Sequence, residues 1–171
     1  MSATEITQGQ YREVMGNNPV ESRRRQWGRN TAPEKACSGY GLGDSLPVHC
    51  VSWFDAVRFA NALSQREGLD LAYRIDGETV SRNPGARGYR LPTEAEWEFA
   101  ARGGGAGNSR TYQGTPAQSD SPQSLCMVAN VSNPSTRAAD ERWGSRGNLG
   151  CEDGSAMLAP VASRAPVAGL Y

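Results

Sequence analysis

The groups able to do chemistry in this chain are few: four cysteines, one histidine, a run of glutamates and three consecutive arginines. Cys37, Cys50, Cys126 and Cys151 form no Cys-x-x-Cys pair, which argues against a zinc knuckle or a thioredoxin-type redox pair. Two disulfides or four reduced thiols both satisfy their spacing. The opening residues, MSATEITQGQ, lack the charged-then-apolar order of an export signal, so reduced thiols and a cytoplasmic protein are expected. The single histidine, His49, leaves no set for a multi-histidine iron or zinc centre. It stands just ahead of a helix cap, where local hydrogen bonding is expected in place of a general-base role. Arg23, Arg24 and Arg25 could face a phosphate. Yet 18 basic residues balance 18 acidic ones, so they read as a solvated loop and nucleic acid is not an expected partner.

The glutamates lie in residues 89–105, YRLPTEAEWEFAARGGG. Acid–base work is one reading of Glu94, Glu96 and Glu98, but helix chemistry accounts for them better. Thr93 is an N-cap with Glu96 at the capping-box position, and Glu94 adds negative charge to the first turn. Glu98 falls on the outer face. Trp97, Ala100 and Ala101 share a face directed at a core, and Gly103 supplies a left-handed stop. The glycine run follows the helix, so it is not a phosphate loop.

The elements around this stretch follow the same logic. Thr7 and Gln10 form a second capping box, followed by the Tyr11, Val14, Met15 stripe and a stop at Gly16. Residues 3–6 read as the end of a strand, and 47–51 as an extended segment. Ser52 caps a third helix with Asp55 at the box position. Its stripe is Trp53, Ala56, Val57, Ala60 and Leu63, flanked by Phe54 and Phe59, and Gly68 ends it. Residues 73–80 read as a hairpin around Asp76-Gly77. Beyond Gly105 no helical period returns, although Tyr112, Trp143, Leu170 and Tyr171 imply that parts of this half pack. No apolar run approaches the roughly 20 residues of a membrane span. A 171-residue chain with 20 glycines and 10 prolines therefore reads as one α+β domain, loop-rich and low in regular structure.

Three segments in order carry a resemblance: EITQGQYREVMG, PVHCVSWFDAVRFANALSQREGL and YRLPTEAEWEFAARGG. With the later CEDGSAMLAPVASRAPVAGLY they resemble the sulfatase-modifying-factor family, whose founding member is the formylglycine-generating enzyme. The resemblance implies an irregular α+β domain over residues 1–171, distantly like C-type lectins. It also implies that both ends of the family domain are absent, including the copper-binding cysteine pair of active members. Oxidation of a sulfatase cysteine to formylglycine is thus carried by no residue here, and the expectation is a core piece inactive alone, with a sulfatase-like protein or peptide as partner. Two other readings stand beside it. One is a non-catalytic lectin-like module binding a peptide, protein or glycan through loops at Trp27, Tyr40, Tyr112 and Trp143. The other, a relative of iron-dependent sulfoxide synthases, fits poorly with one histidine. By the same resemblance, Asn130, Val131, Asp153 and Ser155 match the family's structural calcium ligands, an oxygen-rich set suited to that ion.

Overall fold

The computed structural model describes residues 1–22, 24–25, 35–102, 104, 121–139 and 149–165. Trp27, Tyr112, Trp143, Leu170, Tyr171, Arg23 and Gly103, singled out above, lie outside them. The chain divides into two compact units.

The first unit comprises residues 6–44 and 48–93. Helix α1 (Gln8–Met15) starts with both halves of the Thr7–Gln10 capping box and stops at Gly16, whose φ of 76° is left-handed. The short helix α2 (Pro19–Ser22) follows, then strand β1 (Arg24–Arg25), which pairs antiparallel with β2 (Lys35–Ala36). A 3₁₀ turn at Cys37–Tyr40 precedes α3 (Trp53–Arg66), which begins with the reciprocal Ser52–Asp55 box. The hairpin β3 (Tyr73–Asp76) and β4 (Thr79–Arg82) pairs Asp76 with Thr79, so its two-residue turn is Gly77-Glu78, with Gly77 at φ 57°. Residues 3–6 form no strand; near them, Val48 N–H donates to Ile6 O at 2.8 Å.

The core of this unit is Val57 and Ala60 of α3 against Ala72 and Tyr73, with Ile75, Val80, Ala86 and Leu91 packed around them. Asn61 locks the helix to the hairpin, donating to Tyr73 O at 2.7 Å and accepting from Tyr73 N at 3.1 Å. On the α1 side Phe59 is buried and stacks on Tyr11, their rings 5.3 Å apart. The burial of α3 therefore extends to Phe59 and Ser64 and omits Trp53, which is 52% exposed. Trp53 is the first residue of the helix and meets Phe54 edge-on.

The second unit comprises residues 1–5, 45–47 and 94–171. Helix α4 (Glu94–Ala101) begins directly after Thr93, as the cap chemistry predicts. It is not the core-facing helix that its composition suggests. None of its eight residues is buried, and Trp97 and Phe99 are 61% and 60% exposed. Glu98 holds Arg102 one turn on at 2.8 Å. Gly104, at φ 66°, donates back to Phe99 O at 2.9 Å. The expectation of no further helix is corrected by α5 (Pro122–Val128) and α6 (Pro134–Ala139). Both are too short to repeat an apolar period, and each is announced only by a capping residue before proline, Ser121 and Asn133.

The expectation of reduced thiols is also corrected. Cys37 pairs with Cys50 and Cys126 with Cys151, one bridge in each unit. The pairs are 6.3 Å apart at Cα, inside bridging range. The folded loops bring them together, which linear spacing alone does not reveal.

Candidate functional site

Of the four residues singled out as calcium ligands, Val131 and Ser155 meet on the carboxylate of a third, Asp153. Asp153 follows Cys151 closely, and Gly154 at φ 85° turns the chain so that Ser155 N–H donates to Asp153 Oδ1 at 2.8 Å. Val131 N–H donates to the other oxygen, Oδ2, at 2.6 Å. The Asp153 side chain is fully buried. Asn130 stands apart from the carboxylate. Its side chain is exposed and its Nδ2 donates to Met157 O at 2.7 Å.

Two residues missed at the sequence level complete the cluster. Asn133 is fully buried and caps α6: its Oδ1 accepts from Thr136 N at 2.8 Å and from the Thr136 hydroxyl at 3.1 Å. Its Nδ2 donates to Asp153 Oδ1 at 2.8 Å and to Ser155 O at 3.1 Å. The Asn-Pro pair at 133–134 was the available signal, a cap followed by proline at the first helical position. Arg164 is the second. Its Nη2 donates to Asp153 O and lies 3.8 Å from Asp153 Oδ1. Its Nε is buried and finds no acceptor among the described residues.

Calcium takes about six to eight oxygen ligands. Here both carboxylate oxygens of Asp153 are already occupied by N–H donors. Val131 turns its amide, not its carbonyl, to the carboxylate, and the Ser155 carbonyl accepts from Asn133. The unfilled group in the cluster is an N–H donor on a cation. As arranged, these residues do not fit a calcium ion. Copper fares no better on the cysteines, since every cysteine of the chain is in a disulfide.

His49 packs edge-on against Tyr40 with ring centres 6.0 Å apart. Tyr89 donates its hydroxyl to Glu67 Oε2 at 2.7 Å, which raises its pKa above the ordinary tyrosine value. Among the described residues, the exposed large apolar groups of the second unit are Met1, Trp97 and Phe99 of α4, and Met127 of α5.

Residues 1–168 match the sulfatase-modifying factor enzyme 1-like domain. The chain belongs to this family. The chaperone protein LppX of Paenibacillus barcinonensis is 39% identical over 126 residues, covering 65% of this chain and 38% of that protein. The crystal structure of CarF aligns with 99% of this chain at 33% identity and a TM-score of 0.59, over 62% of its own length. Treponema denticola variable protein 1 aligns with 98% of this chain at 25% identity and a TM-score of 0.58, over 55% of its length. This member of the sulfatase-modifying factor family thus spans less than two thirds of each of these relatives, and its α+β architecture is theirs.

Proposed function

We propose that this chain is a non-catalytic module of the sulfatase-modifying factor fold that holds a polypeptide partner. The observation that carries the reading is α4, in which Trp97 and Phe99 stand more than half exposed among Glu94, Glu96 and Glu98. Helices with apolar residues on several sides are normally covered, and exposed aromatic groups are what protein partners bury first. The disulfide pairing supports the same reading, because it leaves no thiol for copper or for cysteine oxidation in this chain. A chaperone among the relatives is consistent with a polypeptide as the bound class. The two bridges also favour an oxidising compartment over the cytoplasm.

The test is suppression of aggregation, by light scattering, of a chemically denatured model enzyme diluted into buffer with the folded chain. Substoichiometric protection by wild type and its loss in Trp97→Ser/Phe99→Ser is expected. Equal aggregation with and without the protein overturns the proposal.

A second reading, a core piece of a formylglycine-generating oxidase, is favoured by the family membership itself. It is separated by offering a sulfatase-type cysteine peptide with copper. Aldehyde formation by this chain would establish the enzyme reading.

A further inference from the structure

We infer that the loop junction around Asp153 is closed by an internal cation, the Arg164 guanidinium, and not by calcium. Among the described residues, N–H donors meet both oxygens of the Asp153 carboxylate. A buried carboxylate needs compensation from donors or from positive charge. Asp153 receives both kinds. Val131 N–H, Ser155 N–H and the Asn133 amide supply three donors, at 2.6, 2.8 and 2.8 Å. Arg164 then supplies the charge, with Nη2 bound to the Asp153 carbonyl and 3.8 Å from its carboxylate.

A calcium ion at this carboxylate has three obstacles. It must displace N–H groups already on both oxygens. It must turn the Val131 amide away and free the Ser155 carbonyl from Asn133. It must also sit beside a guanidinium, since arginine stays protonated in proteins. The group left over points the same way: a buried Arg164 Nε seeks an acceptor, whereas a cation site would show an acceptor seeking a cation. Asn130, Val131 and Asn133 tie their segment to residues 153–157, and Arg164 ties the following chain back to Asp153, all without metal. The Cys126–Cys151 bridge closes the same segment covalently.

The test is thermal unfolding of the full chain in excess chelator and in millimolar calcium, with calorimetric titration of calcium chloride. The expected result is one midpoint in both buffers and no saturable heat. A calcium site occupied a hundredfold above its dissociation constant would raise the midpoint by roughly 5–10 °C for a chain of this size. A rise of that order, lost in Asp153→Asn, overturns the inference.

Arg164→Gln is expected to lower the midpoint equally in both buffers, and Arg164→Lys to recover part of the loss by restoring the charge without the fork. In a double-mutant cycle, Asp153→Asn with Arg164→Gln should cost less than the sum of the two single changes. An Arg164→Gln variant that melts like wild type overturns the inference even if calcium proves inert. Because Asp153→Asn risks failing to fold, the arginine variants and the wild-type calcium comparison decide the matter without it.

Discussion

Opening the Cys126–Cys151 bridge by the double change Cys126→Ala/Cys151→Ala tests the second unit most sharply. The bridge closes a loop with a sequence separation of 25 and joins α5 to the strand of chain that carries Asp153. Cross-linking a loop of that length removes about 12 cal/mol/K of unfolded-chain entropy, or about 3.5 kcal/mol at 25 °C. For a chain of 171 residues this corresponds to roughly 7–14 °C in the melting midpoint. Cys126 is itself buried, so alanine also loses a little packing on top of the entropic term. The assay is urea unfolding followed by circular dichroism, in the oxidised wild type, in wild type with reductant, and in the variant. Reductant should also expose the 13-residue-separated Cys37–Cys50 pair, adding about 2.9 kcal/mol by the same relation. Four thiols titrating in the native oxidised protein, or midpoints unmoved by reductant, would refute the reasoning.

Gly88→Ala should destabilise by about 3 kcal/mol in urea unfolding, because a Cβ there would stand 2.0 Å from the Asp70 carbonyl and 2.6 Å from Ser64 Oγ. The Asp70 oxygen is backbone and cannot swing aside, and Ser64 Oγ already bridges Ala60 O and Tyr89 N–H. Spectrophotometric titration of the tyrosines should place Tyr89 above the ordinary phenol value, and Glu67→Gln should bring it back. The sign follows from the raised pKa: the contact's stabilisation is complete below the unfolded-state tyrosine value and is lost as pH rises through the folded one. Trp97→Ser should change unfolding by no more than about 0.5 kcal/mol, since its side chain is largely in water. A large loss there would mean that α4 packs against the body of the unit.

What could be read from the sequence was whatever local hydrogen bonding decides. The Thr7–Gln10 and Ser52–Asp55 boxes start α1 and α3 as their spacing dictates, and Gly16 ends α1. The hairpin was legible from Asp76-Gly77 between β-prone arms, although Asp76 pairs with Thr79 and the turn is Gly77-Glu78. What could not be read was where apolar faces go. Trp97 and Trp53 have the composition of core residues, yet both are exposed, while Phe59 became core by meeting Tyr11. Facing depends on contacts distant in the chain, and no helical period encodes it. The candidate site divides along the same line. Val131, Asp153 and Ser155 lie together, whereas Asn130, expected with them, turns to Met157. Their partners Asn133 and Arg164, at separations of 20 and 11 from Asp153, set the character of the cluster and carried no local signature of it. Disulfide pairing likewise depended on the turn at Cys50, whose φ of 57° is a feature of the folded loop.

The central claim is that α4 presents a surface for a polypeptide. It is met most directly by titrating a fluorescently labelled, denatured polypeptide with the oxidised protein and following anisotropy. A saturable rise for wild type is predicted, with at least tenfold weaker binding, or about 1.4 kcal/mol, for Trp97→Ser/Phe99→Ser at an unchanged melting midpoint. Identical curves for wild type and the double variant, both well folded, would contradict it.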